Sequence, residues 1–160
     1  HRLAEIDLGP PPAAARVPAK PSSCSDGLVN GVTSGELMER IEHLRLLCWQ
    51  RAGVDRSVHG MSTALREISA QQQWLEGQPL LNALTRGPSL LADGTRRDLN
   101  LLLDYRHRLL TSRLMLEACL FRQESRGGHF RSDAPVSLPQ WQCHSRQNRA
   151  QRPHTRAVRR

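Results

Sequence analysis

Residues 122–135, here called the polar segment, gather chemically active side chains in one short stretch, RQESRGGHFRSDAP. Arginines, two carboxylates and one histidine surround the pair Gly127-Gly128. Because glycine adopts backbone conformations closed to other residues, the pair predicts a tight turn that fixes these side chains. Arginine can pair with a carboxylate through two hydrogen bonds, so such a turn suits a specific polar contact. The alternative interpretation is an ordinary charged helix end.

No other group of residues has the spacing of a catalytic or metal site. The sequence has no glycine-rich phosphate loop between a strand and a helix, no HExxH motif and no closely spaced cysteine pair. Cys143 and His144 are adjacent, but no further metal ligands stand near them in sequence. Cys48 and Cys119 lie among apolar residues and are predicted to be reduced thiols in the core. We therefore predict no catalytic, cofactor-binding or metal-binding residue in this chain.

Two helices are predicted upstream of the polar segment. Thr33 and Glu36 have the spacing of a capping box, in which each side chain bonds a free backbone N–H at a helix start. An apolar stripe at helical spacing follows, which predicts a helix over 34–52. Ser57 is a suitable N-cap for a second helix that runs to about Glu76.

A third helix leads directly into the polar segment. Residues 95–123 contain neither glycine nor proline and are rich in leucine, which predicts a long helix contacted on more than one side. Residues 78–93 are predicted to be a partly ordered crossover, because Gly87-Pro88 interrupts any long helix there. These lengths and connections favour an all-α fold, an antiparallel three-helix bundle resembling a spectrin repeat over residues 34–125.

Both ends of the chain are predicted to lie outside the bundle. Residues 1–33 contain five prolines and favour a flexible linker, and the start at His1 indicates a piece of a longer protein. The formal net charge is +8, of which residues 144–160 contribute six arginines. No acidic residue follows Asp133. The basicity therefore belongs to a tail, residues 145–160, which we expect to be disordered.

The polar segment resembles a signature near the C-terminus of the succinate dehydrogenase and fumarate reductase flavoproteins. That family carries the pattern R-x-E-S-R-G-x-H-x-R-x-D-x-P. Its nine fixed positions are all matched, by Arg122, Glu124, Ser125, Arg126, Gly127, His129, Arg131, Asp133 and Pro135.

A second stretch, LCWQRAGVDRS, resembles the junction between the first two C-terminal helices of the same family. Asp55 departs from the apolar residue usual at its position. The resemblance covers about residues 34–144 and is strongest to the L-aspartate oxidase branch. The matching positions of the junction are Trp49, Gly53, Val54, Arg56 and Ser57.

The resemblance implies a helical domain appended to an FAD-binding domain and a mobile capping domain. Residues 1–33 would then be a linker and the end of the flavin domain, and residues 126–144 the signature turn and loop. The expected partners are those two domains of the same chain. The expected interdomain contacts are Glu124, Arg126, His129, Arg131 and Asp133.

The implied parent enzyme oxidises L-aspartate to iminoaspartate with FAD as hydride acceptor, in the cytoplasm. Its product would supply quinolinate synthase, a further candidate partner, in NAD biosynthesis. A succinate dehydrogenase or fumarate reductase flavoprotein is the alternative parent. This chain alone is expected to bind no cofactor and to be inactive, and its exposed apolar surface favours self-association.

Two readings outside enzymology compete with this one. A nucleic-acid-binding module could use the tail arginines to neutralise phosphates, but the tail has no interleaved aromatic residues and the rest of the chain is nearly balanced in charge. Nucleic acid is therefore the less favoured partner. A helical interaction module unrelated to flavoenzymes ranks third. No membrane contact is expected, because no apolar run approaches the roughly 20 residues of a membrane span.

Overall fold

The computed structural model describes residues 32–86, 96–148 and 151–158. Of the linker predicted over residues 1–33, residues 1–31 lie outside the described part. The helices are α1 (Ser34–Ala52), α2 (Val58–Glu76), α3 (Pro79–Arg86) and α4 (Arg96–Phe121). The strands are β1 (Asp55–Arg56), β2 (Phe130–Arg131), β3 (Cys143–Asn148) and β4 (Gln151–Ala157), with a 3₁₀ turn at Pro139–Trp141.

Side-chain caps decide where α1 and α2 begin. Thr33 Oγ1 accepts a hydrogen bond from the Glu36 N–H, and Ser57 Oγ accepts one from the Gly60 N–H, each at 3.2 Å. Each bond satisfies one of the backbone donors that a helix start leaves free. The Glu36 carboxylate pairs with Arg40 at 2.9 Å. The helices predicted from these two caps are confirmed within a residue at each end.

One apolar core joins α1, α2 and α4. Each of its fully buried large side chains is worth about 1.5–3 kcal/mol of transfer free energy. The helix α4 also contacts α3, β3 and β4, so the prediction that it is contacted on more than one side is confirmed. The fully buried members are Leu37 of α1, Met61 and Ile68 of α2, and Leu102, Tyr105, Leu109 and Leu116 of α4.

A polar junction crosses this core near the end of α2. The Gln71 side-chain oxygen accepts hydrogen bonds from the Tyr105 hydroxyl at 3.0 Å and from Arg40 at 2.7 Å. The Arg40 guanidinium lies 3.5 Å from the centre of the Trp74 ring. A cation over an aromatic face is attracted by the ring's quadrupole. The junction therefore ties α1, α2 and α4 together through two hydrogen bonds and a cation–π contact.

The fold is mostly helical, and two small sheets are the first correction to the all-α prediction. The pair β1–β2 is parallel, and the pair β3–β4 is antiparallel. A fourth helix, α3, occupies part of the crossover predicted over 78–93, and residues 87–95 lie outside the described part. The three long helices pack together, but the spectrin-like antiparallel bundle itself stays a prediction.

The tail is the second correction, because β3 and β4 occupy most of the residues 145–160 that we expected to be disordered. Along β3, partly buried residues alternate with exposed ones. The partly buried residues are Cys143, Ser145 and Gln147, which are small or polar. The burial of the β3 side chains therefore alternates along the strand, as is typical, but the hydrophobicity of the residues does not alternate.

The core predicts a sharp contrast between two neighbouring residues of α4. Leu116 is fully buried, whereas Met115 is 41% exposed. We expect Leu116→Ala to lower the free energy of unfolding by about 2–5 kcal/mol, because it removes buried apolar groups and leaves a cavity. Met115→Ala should cost less than about 1 kcal/mol. Urea unfolding followed by circular dichroism measures both, and equal losses would contradict this packing.

Candidate functional site

The polar segment contains the tight turn that its glycine pair predicts. The Arg126 N–H donates to the His129 carbonyl at 2.8 Å, and the His129 N–H donates back to the Arg126 carbonyl at 3.0 Å. Gly127 has a φ of 57°, a left-handed conformation that side chains with a Cβ rarely adopt. The turn folds the chain back so that the residues before and after the glycines lie side by side.

Glu124 is the buried centre of this turn, with no exposed surface. Its carboxylate accepts from Arg122, from Arg126 Nε at 2.8 Å and from the Leu138 N–H at 2.7 Å. The hydrogen bond from Arg126, together with the Leu138 and Arg122 bonds, outweighs burial and lowers the pKa of Glu124 to about 2. Glu124 is therefore ionised at neutral pH and holds two arginines and a later loop together.

Arg131 and Asp133 form a second ion pair. Arg131 Nε lies 3.1 Å from Asp133 Oδ1, and Arg131 Nη2 lies 2.6 Å from Oδ2, which is a two-bond fork. The Arg131 side chain is only 3% exposed, and that of Asp133 is 33% exposed. The Arg131 hydrogen bonds lower the pKa of Asp133, so this carboxylate is also ionised at neutral pH.

The same pair joins the end of α4 to the start of α2. Arg131 Nη1 donates to the carbonyls of Leu120 at 3.2 Å and Arg122 at 3.0 Å. Asp133 Oδ2 accepts from the Val58 N–H at 3.3 Å. A cation favours the carbonyl end of a helix and an anion its amide end. Each member of the pair therefore lies at the helix end that suits its charge.

The two stretches that resemble the family are adjacent in space. Asp55 pairs with Phe130 in the parallel β1–β2 ladder, and the Ser132 N–H donates to the Arg56 carbonyl at 3.0 Å. The Arg56 guanidinium donates to the Gly128 carbonyl at 3.1 Å. The α1–α2 junction therefore buttresses the turn, although about seventy residues separate them in sequence.

Gly53 lets the α1–α2 junction approach the helix closely. A Cβ at this position would lie 2.4 Å from the Trp49 carbonyl oxygen, well inside contact distance. The φ of Gly53 is −65°, which residues other than glycine adopt. The close approach, rather than a left-handed backbone, is what requires glycine here.

His129 lies at the edge of the turn. Its Nε2 is 3.3 Å from the Arg122 carbonyl oxygen, to which it can donate. Burial, followed by the nearby guanidinium groups of Arg56 and Arg131, lowers the pKa of His129. The neutral imidazole is therefore favoured at neutral pH.

Two more side chains of the polar segment have structural roles that we did not assign from sequence. Ser125 Oγ accepts from the Arg131 N–H at 2.9 Å and donates to the Ala134 carbonyl at 2.8 Å. Arg122 donates to the carbonyls of Trp141 at 3.1 Å and Cys143 at 2.7 Å. Ser125 and Arg122 are both fixed positions of the signature, so the sequence pattern pointed to them. Nothing in the sequence identifies the carbonyl groups that they bond.

Comparison with known proteins identifies the family. The model of the family described as fumarate reductase flavoprotein C-term matches residues 41–159. The chain belongs to this flavoprotein family. The match covers α2, α4, the polar segment and the β3–β4 ribbon.

Curated relatives within the family give finer comparisons. An L-aspartate oxidase of Nostoc sp. is 37% identical over 109 residues, which are 65% of this chain and 19% of the relative. An L-aspartate oxidase of Synechocystis sp. is 35% identical over 104 residues, 62% of this chain and 19% of the relative. An uncharacterized FAD-dependent oxidoreductase of Methanocaldococcus jannaschii is 24% identical over 101 residues, 63% of this chain and 16% of the relative. The chain spans about a fifth of the length of these relatives.

The interdomain contact predicted for five residues of the flavoprotein signature stays a prediction. Glu124 and Arg131 are buried and bonded within this domain. Arg126 is 40% exposed and Asp133 33% exposed, and His129 is partly exposed. These three residues therefore have the exposed surface that such a contact would use.

Neither a metal site nor a membrane span emerges from the described residues of this flavoprotein domain. Across 32–86, 96–148 and 151–158, no three His, Cys, Asp or Glu side chains are grouped so that they could hold a metal ion. Within the same ranges, no helix combines the length and apolar character that crossing a membrane requires.

The first prediction from this site concerns Arg131. We expect Arg131→Gln to lower the free energy of unfolding by about 2–4 kcal/mol, because Asp133 and the end of α4 lose their charged partner. Arg108→Gln is the matched control, since Arg108 pairs with Asp104 on an exposed helix face. That change should cost less than about 1 kcal/mol. Chemical unfolding measures both, and similar losses would count against a special role for Arg131.

The second prediction concerns acid stability. The pKa values of Glu124 and Asp133 are lowered in the folded state, so the unfolded chain binds these protons first as the pH falls. Their stabilisation is complete above about pH 5 and is lost towards pH 2. We expect Glu124→Gln to flatten the fall of the melting temperature in this window. Thermal melts from pH 7 to the lowest pH that keeps the protein in solution test this, and parallel curves would contradict it.

Proposed function

We propose that this chain is the C-terminal domain of an FAD-dependent oxidoreductase that oxidises L-aspartate to iminoaspartate. Membership of the flavoprotein family supports an oxidoreductase parent. The Nostoc and Synechocystis relatives are L-aspartate oxidases, which supports L-aspartate as the substrate, and their sequence identity to this chain is the observation that carries the proposal. Its product would pass to quinolinate synthase in NAD biosynthesis, in the cytoplasm.

The role of this domain in the parent enzyme is structural. The polar segment does not fit an FAD site, because its buried arginines, which could meet a diphosphate, already donate inside the domain. Arg122 bonds Glu124 and two carbonyls, and Arg131 bonds Asp133 and the end of α4. FAD supplies the hydride-accepting chemistry when bound elsewhere in the protein. The part of this chain that faces the flavin and capping domains is expected to include Arg126 and His129.

A second parent is supported by the family description itself, which names fumarate reductase. Such an enzyme transfers hydride between flavin and a dicarboxylate that has no amine. The structural role of this domain would be the same in both parents. The substrate therefore distinguishes them.

The test uses the full-length protein that contains this chain. We expect it to bind FAD, seen as flavin absorbance, and to form peroxide on addition of L-aspartate. Preference for succinate or fumarate would overturn the L-aspartate assignment and keep the family. Absence of bound flavin from the folded protein would overturn the oxidoreductase assignment.

A variant separates the structural role from a catalytic one. In the full-length protein, Arg131→Gln should lower the melting temperature and leave the turnover per bound flavin unchanged below that temperature. A loss of turnover in fully folded, flavin-loaded protein would show that this segment takes part in the chemistry. Arg108→Gln again serves as the control, because it removes the same charge from an exposed ion pair.

A further inference from the structure

The β3–β4 ribbon presents a basic face. Its register pairs His144 with Arg156 and Arg146 with His154. Because side chains alternate between the two sides of a strand, these two pairs share one face of the ribbon. All four residues are exposed. The face therefore carries two guanidinium groups and two imidazoles in a regular arrangement.

The opposite face anchors the ribbon to α4. Gln147 on this inner face bonds the Glu117 carboxylate, and Arg122 holds the Cys143 carbonyl at 2.7 Å. Cys143, Ser145 and Gln147 are partly buried. The ribbon is thus held on the helix by one side, and its basic face is turned to solvent.

Within the described part of the chain, the basic face has no acidic partner. Among the described residues, neither Arg146 nor Arg156 forms an ion pair or a side-chain hydrogen bond, and the sequence contains no Asp or Glu after Asp133. An open depression is formed by His144, Ser145, Arg146, Arg156 and Ala157. The guanidinium groups of Arg146 and Arg156 are therefore free to meet an anion.

We propose that this face binds the phosphate backbone of a nucleic acid duplex without sequence preference. Protein partners are disfavoured because the four exposed residues include no large apolar side chain that could form the buried centre of a protein interface. Interfaces with nucleic acid are polar and strongly positive, as this face is. A single strand is disfavoured because residues 143–158 contain no aromatic ring on which a base could stack, apart from imidazoles.

The dimensions of the ribbon fit a duplex. A two-stranded ribbon can enter the major groove of DNA. Successive side-chain pairs on one face of an antiparallel ribbon are about 7 Å apart. Measured along the helix axis of a duplex, that distance equals about two nucleotide steps of one strand, at about 3.4 Å each. Arg146 and Arg156, in successive pairs, can therefore reach different phosphates, and arginine binds phosphate oxygens through two parallel hydrogen bonds.

The experiment measures binding of the full chain to a fluorescently labelled, mixed-sequence DNA duplex at several salt concentrations. Binding should weaken with salt by about 0.9 logarithmic units per tenfold increase in salt for each phosphate contact. The double variant Arg146→Gln/Arg156→Gln should bind the duplex about tenfold more weakly at low salt. The slope of the logarithm of the binding constant against the logarithm of the salt concentration should fall in magnitude by about 2. If the double variant fails to fold, as judged by circular dichroism, each single variant should reduce the slope by about 1.

The matched control is Arg66→Gln/Arg106→Gln, which removes two exposed arginines from α2 and α4. This control should change the affinity for the duplex by less than about twofold and leave the salt slope unchanged. Phosphate contacts, rather than the total charge of the protein, determine both quantities. An equal loss in the control would overturn the proposal, and so would the absence of duplex binding at low salt. The proposal would also be overturned if the chain bound a polyglutamate peptide or phosphatidylserine vesicles as tightly as the duplex and the double variant lost that binding. The partner would then be an acidic protein or a membrane.

Discussion

The ion pair between Arg131 and Asp133 is the contact on which the rest of the domain's geometry depends. It lies between the carbonyl end of α4 and the amide end of α2, and it satisfies backbone groups that both helices leave free. A buried guanidinium is costly unless every donor finds a partner. Here the fork to Asp133 and the helix carbonyls supply those partners. The pair therefore fixes how α2 and α4 meet, and with them the α1–α2 junction.

Glu124 extends this arrangement to the later part of the chain. Its carboxylate binds Arg122 and Arg126 from the same segment and the backbone of Leu138 beyond it. Arg122 in turn donates to one carbonyl just before the β3–β4 ribbon and to the carbonyl of its first residue, Cys143. A buried charge with this many partners requires one arrangement of the chain around it. That requirement gives a physical reason for the polar residues of the flavoprotein signature in a domain to which we assign no chemistry.

The ribbon changes what the basic tail can do. As a disordered tail, its arginines would be a diffuse positive charge, and nucleic acid would be a weak candidate partner. Pairing of β3 with β4 places Arg146 and Arg156 on one face, while Gln147 fastens the other face to α4. The same residues thereby become a fixed pattern of donors. The proposed binding of a nucleic acid duplex is independent of the flavoenzyme assignment, since it uses none of the residues of the polar segment.

The sequence by itself determined the three long helices, because caps such as Ser57 and apolar periodicity act over a few residues. The signature pattern also located the polar segment. Only the tertiary structure decided that Glu124 and Arg131 face inwards, since burial depends on partners such as Leu138 and Val58 that are distant in sequence. It likewise decided the strands of the tail, whose inner residues are too polar for hydrophobic patterning to reveal. Local signals are written in neighbouring residues, whereas pairing between distant segments exists only once the chain has folded.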